Sequence, residues 1–133
     1  MIRLRRRTPA STFPEALGYS LPFAHRGAHV LIFYDRIEAL AQRVNIGTDL
    51  ILGYVMAHEL GHVLLGSTEH TTRGLMQERW TSASWRLAEA GLVAFDSAEI
   101  KRMREGSSKF QVVERVPPPQ LALASGALRF CPP

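Results

Sequence analysis

"VMAHELGHVLLGSTEHTTRGLM" (residues 55–76) decides the fold, because its centre reads either as a metal-binding helix or as an ordinary core helix. His58 and His62 stand four positions apart. On an α-helix that spacing puts both imidazoles on one face, where they can share one ion. Glu59 follows His58 around the helix. From there a carboxylate can reach a metal-bound water without ligating the metal, which is the placement a general base needs. Zinc lowers the pKa of such a water towards about 7.

The flanking residues sharpen this reading. Ile51, Leu52, Tyr54, Val55, Met56, Ala57, Leu60, Val63, Leu64 and Leu65 make the segment apolar on nearly every side, so the helix is expected to be buried. Two histidines and a glutamate buried without partners cost on the order of several kcal/mol, and a divalent cation offsets that cost. The residues alone leave the third ligand open. Gly66 ends the helix, and His70 comes four residues later, close enough for a turn to bring it back over the pair. Glu89 in "WRLAEAG", Glu78 and Glu69 are the carboxylate alternatives.

Outward from this helix, "EALGYSLPF" (15–23) reads as a short strand, and Val30 to Tyr34 in "RGAHVLIFYDRI" carry the best strand signal. The two are spaced to pair as a hairpin, with His25, Arg26 and Gly27 in the turn. Ile37, Leu40, Ala41 and Val44 predict a helix over 36–44, broken at Asn45-Ile46-Gly47. Thr48 or Asp49 is then expected to cap the histidine helix, which stops at Gly66. Ser82 to Ala90 forms a third helix ending at Gly91. Asp96 with Glu99 forms a capping box that opens a fourth, running to Gly106. His25 and His29 are also four apart, but in a turn and a strand that spacing does not align them, so they read as loop residues. Asp35 is placed to cap the helix after it, and Trp80 and Trp85 read as packing residues.

The length of 133 residues suits one domain and one core. Hydrophobic residues at 46% and charged residues at 21% give the profile of a globular chain, and no apolar run approaches a membrane span. Residues 1–14 read as an irregular basic N-terminus. Its Arg3–Arg7 cluster is taken as a solvated end, since no nucleic-acid motif accompanies it, and no nucleic-acid partner is expected. The opening residues lack the apolar stretch of a secretory signal, so a cytoplasmic location is expected unless the gene start is incomplete. Cys131 is the single cysteine, which excludes an intrachain disulfide. Residues 107–133 hold five of the eight prolines and read as a flexible tail, in which "LALASGALRF" is apolar enough to dock.

The sequence His58-Glu59-Leu60-Gly61-His62, then Gly66, His70 and Leu75-Met76, resembles the metzincin zinc peptidases. Matrixins and small bacterial metzincin-like proteins look most alike, and the likeness spans about residues 28–76. It implies zinc ligands at His58, His62 and His70, a catalytic base at Glu59, and a methionine turn beneath the metal at Met76. It also implies that "HVLIFYDRI" (29–37) is the edge strand along which a peptide substrate lies. Three departures from the family pattern stand out. The glycine and third histidine come one and two residues late, no tyrosine follows Met76, and the region before the strand is short. "AHELGHVLLG" also resembles the helix of ImmA/IrrE-type regulatory peptidases.

The expected fold is therefore α+β: a minimal zincin-like domain over 15–106, with a small sheet or hairpin, the buried helix and C-terminal helices. The expected function is zinc-dependent hydrolysis of a peptide or protein substrate, with one Zn2+ per chain. The alternatives are a zinc-stabilised binding module without activity and an intracellular regulatory protease.

Overall fold

The computed structural model describes residues 1–9, 15–22, 27–110 and 129–130, with 107–110 and 129–130 described by backbone alone. The chain is α+β, with a small three-stranded sheet, a two-stranded pair and four helices among the described residues. Strand β1 (Ile2–Arg5), β2 (Gly18–Leu21) and β3 (His29–Phe33) lead into helix α1 (Tyr34–Val44) and the histidine helix α2 (Thr48–Leu65). Strand β4 (Arg79–Trp80), α3 (Ser82–Glu89), α4 (Ser97–Phe110) and β5 (Arg129–Phe130) complete the order.

The sheet order is β1-β3-β2. β2 and β3 form the expected hairpin, antiparallel with Gly18 beside Ile32 and Leu21 beside His29. Of its turn, His25 and Arg26 lie outside the described residues, while Gly27 takes φ +88°. β1 runs parallel to β3, with Ile2 beside Val30 and Arg5 beside Phe33. Two expectations are corrected here. Residues 2–5 are a strand rather than irregular chain, because Ile2 and Leu4 alternate with Arg3 and Arg5 at the period of two that a pleated strand needs. The arginine cluster hides that alternation when read only as charge. In addition, "HVLIFYDRI" does not supply an edge strand, since β3 is hydrogen-bonded on both sides and the edges are β1 and β2.

Thr8 fastens the end of this N-terminal segment. Its N–H and Oγ1 donate to the Asp35 carboxylate at 2.8 and 2.7 Å. Asp35 sits in the first turn of α1, and its side chain serves the Thr8 segment instead of capping the helix. Burial pushes the Asp35 carboxyl up, but hydrogen bonds from Thr8 and from the backbone of Arg36 and Asp35 together hold it below its ordinary value.

α2 touches β2, β3, α1, α3 and α4, which is why a helix apolar on nearly every side belongs there. Ile51 and Val55 enter the main core with Val30, Ile32, Ile37 and Leu40. Trp80 and Trp85 are fully buried in that core, their ring centroids 4.3 Å apart. Burial of each large apolar side chain stabilises the fold by roughly 1.5–3 kcal/mol. Gly47, rather than Thr48 or Asp49, takes the cap position of α2, while Asp49 lies in its first turn near the positive end of the helix. The capping box of α4 forms as the sequence suggests: Asp96 N–H donates to Glu99 Oε2 at 2.8 Å, and Glu99 N–H to Asp96 Oδ1 at 2.7 Å. α4 then runs past Gly106 to Phe110. Gly106 serves close packing rather than a stop, because a Cβ there would lie 3.2 Å from the Leu64 carbonyl. β5 pairs in parallel with β4. No helix among the described residues is long and apolar enough to cross a membrane.

Candidate metal centre

His58 and His62 lie one turn apart on the inward face of α2, and both are fully buried. Their Nε2 atoms are 3.1 Å apart. α2 ends where Gly66 adopts the left-handed conformation, φ 59°, and the Ser67 N–H returns to the His62 carbonyl at 3.2 Å. This reversal carries the half-buried His70 back, so that its Nε2 stands 3.2 Å from that of His62. The three rings pack against one another. His58 and His70 are nearly parallel, with centroids 5.2 Å apart, and His62 meets both edge-on at 4.7 Å.

The other ring nitrogens set the chemistry. His58 Nδ1 donates to the Leu75 carbonyl at 2.8 Å, and His62 Nδ1 donates to the Ser67 carbonyl at 2.9 Å. A carbonyl only accepts, so both protons sit on Nδ1 and both Nε2 atoms carry lone pairs. Burial pushes His58 down to about 3, helped by the charges of His62 and His70 against the Leu75 hydrogen bond. Burial and His70 push His62 down to about 4. Both rings are therefore neutral at pH 7, and two lone pairs face each other across 3.1 Å with no proton between them. A cation at that point turns the repulsion into ligation. Tetrahedral ligands about 2.0–2.1 Å from zinc stand about 3.3–3.4 Å from one another, close to the 3.1 and 3.2 Å that separate His62 from His58 and from His70. The residues present thus fit a metal: the three histidines could hold one ion, their ligand atoms all lying within 4.8 Å of one another.

The chain after His70 closes beneath the trio. Thr71 N–H donates to the Met76 carbonyl at 2.9 Å, and Glu78 N–H to the Thr71 carbonyl at 3.2 Å. Leu75 N–H is held by the Ala94 carbonyl at 3.0 Å. Met76 is buried, and its sulfur approaches Gly61 so closely that a Cβ there would force a neighbouring side chain to shift. Glu59 is also fully buried, with its Cγ against the backbone of Gly18 in β2. The edge strand packed on the histidine helix is therefore β2, on the other side of the sheet from β1.

The structure brings His58, His62 and His70 together and sets Met76 against Gly61 of the helix. It leaves Glu69, Glu78 and Glu89 exposed and outside the trio. His29 lies in β3, also apart from the trio, and His25 is outside the described residues. Sequence reasoning missed the carbonyls of Leu75 and Ser67. Every residue carries a carbonyl, so only the traced backbone reveals which two are used. It also missed β2 as the strand over the helix; Gly18, whose missing side chain lets Glu59 approach, is the one hint in the letters. Comparisons of the chain with known protein families, curated proteins and solved structures give no match.

Proposed function

We propose that this protein is a small zinc-dependent metallopeptidase with metzincin-like site geometry, built on a minimal zincin-like fold. The observation that carries the proposal is the pair of buried, neutral imidazoles with His70 Nε2 drawn up to 3.2 Å from that of His62, on a helix that also buries Glu59 next in sequence to His58. A donor set of three imidazole nitrogens suits zinc and leaves a fourth position for water or substrate. Zinc bound there supplies Lewis acidity and makes water ionisable near neutral pH.

The remaining roles fall to the chain itself. His58 and His62 are oriented by Leu75 and Ser67, so no ring rotation is required on binding. Glu59 takes a proton from the attacking water and delivers it to the leaving amine. Met76 supports the helix from below. An extended peptide is laid along the outer edge of β2, the strand that packs on α2. The Glu59→Gln variant is expected to retain zinc and lose peptide hydrolysis; hydrolysis at the wild-type rate in that variant overturns the mechanism.

A second reading is supported by the complete burial of Glu59, His58 and His62. In it the protein is a zinc-stabilised binding or regulatory module without peptidase action. It predicts one zinc, a large stability loss on chelation, and no cleavage of any peptide in a diverse library. Turnover of one peptide, lost in Glu59→Gln, rejects it.

A further inference from the structure

β1 closes the sheet on the side away from β2, and its ladder to β3 occupies only one of its two edges. Among the described residues no strand covers the other edge. All four of its residues are exposed, including Ile2 at 47% and Leu4 at 53%. The alternation that makes it a strand gives it two unlike faces. Ile2 and Leu4 share one. Arg3 and Arg5 project to the other, where with Tyr19, Leu21, His29 and Leu31 they line a cleft of about 260 Å³. The register explains the cleft: Arg3 lies beside Leu31, Leu31 beside Tyr19, and Leu21 beside His29. The floor is apolar, one wall is cationic, and among the described residues no carboxylate lines it. Arg6 and Arg7 extend the charge beyond the strand, and Thr8 then anchors the segment on Asp35.

We propose that the outer edge of β1 and this cleft form a docking surface for an extended, acidic segment of a partner protein, added to the sheet as a further strand. The unpaired backbone of an edge strand offers a main-chain ladder, and alternate side chains set its specificity. On one face the added strand covers Ile2 and Leu4 with apolar residues. On the other its carboxylates meet Arg3 and Arg5. Charge decides among the occupants. A second copy pairing through the same edge brings Arg3 to Arg7 against itself, which repels. Single-stranded nucleic acid needs a row of stacking aromatics. Among the described residues Tyr19 is the one aromatic lining the cleft, and it is half-buried against Phe33.

The proposal does not depend on the zinc reading and is tested by binding alone. The full-length protein is titrated into a labelled peptide alternating valine and glutamate, with fluorescence anisotropy as readout. Saturable binding is expected. It is expected to weaken by about tenfold or more in the Arg3→Glu/Arg5→Glu variant, to persist in Arg3→Lys/Arg5→Lys, and to fall with added salt. Methylating alternate amides of the peptide is expected to weaken it by a similar factor. Circular dichroism confirms that both variants remain folded. Absence of binding, or binding indifferent to charge reversal or to amide methylation, overturns the proposal. Equal affinity for a single-stranded oligonucleotide overturns it in favour of a generic anion surface. A dimer in sedimentation that dissociates on charge reversal assigns the edge to a second copy instead.

Discussion

The imidazole of His58 is held by the Leu75 carbonyl, 2.8 Å from Nδ1, so a residue on the helix is oriented by the loop that follows His70. Leu75 is itself fixed by its N–H to the Ala94 carbonyl at 3.0 Å. The carbonyl therefore has a defined place before any ion binds. Preorganisation of this kind raises metal affinity, and its loss typically costs about 10–100-fold.

Gly74 is the point at which to disturb it. Its φ is +79°, a conformation that side chains resist, and a Cβ there would stand 3.2 Å from the Ala94 oxygen. Gly74→Ala is expected to shift the Leu75 carbonyl and lower zinc affinity by roughly 10–100-fold while all three histidines remain. Competition against a chromophoric chelator measures the change. Wild-type affinity in this variant means that the Leu75 contact does not orient the ligand.

Two glycines of α2 make a matched pair with opposite expected signs. Gly61 faces the Met76 sulfur and Phe95, and a Cβ there would fall 2.9 Å from the Phe95 ring. Overpacking of this sort costs about 1–3 kcal/mol, against a gain of about 1 kcal/mol in helix propensity. Because Met76 is buried and has little room to retreat, the clash is expected to win, and Gly61→Ala should lower the unfolding midpoint. Gly53 is exposed on the same helix with nothing near its Cβ position. Gly53→Ala should raise the midpoint, since only the propensity gain of about 0.5–1 kcal/mol remains. Thermal melts of both variants separate the two effects.

Legibility followed chemistry and periodicity. The spacing of His58 and His62, the stop at Gly66, the hairpin of β2 with β3 and the Asp96–Glu99 box were all readable, because each is local and has a side-chain signature. The family resemblance picked out His70 over Glu89 where the residues alone left both open, and the turn after Gly66 is what brings His70 to the pair. Sheet order was not readable. Whether β3 is an edge depends on Ile2–Arg5 reaching its far side, a contact 28 positions away in sequence at Ile2 and Val30. Arginine at alternate positions disguised that strand as a charged end.

The histidine pair fixes the sign of the pH dependence. Both rings titrate lower in the fold, at about 3 and about 4, than the ordinary 6.5. Below about pH 6.5 the unfolded chain takes up protons that the native state refuses, so stability must fall as pH falls. The loss begins near 6.5 and continues until His62 is protonated near 4 and His58 near 3. For chelator-treated protein, the urea midpoint is expected to be lower at pH 5 than at pH 7. Replacing both histidines by asparagine should flatten the difference. A midpoint that rises on acidification contradicts neutral burial of the pair.

The choice of third ligand gives the sharpest test of the centre itself. His70 Nε2 lies 3.2 Å from His62 Nε2, whereas Glu89 is exposed at the end of α3. Removing His70 leaves two protein nitrogens, and a zinc ion held by two ligands is held weakly. His70→Ala is therefore expected to lose most of its zinc on dialysis, while Glu89→Ala keeps one zinc per chain. Metal analysis of both proteins after identical dialysis measures this. Equal zinc content in His70→Ala and wild type would remove His70 from the site, and zinc loss in Glu89→Ala would put a carboxylate in its place.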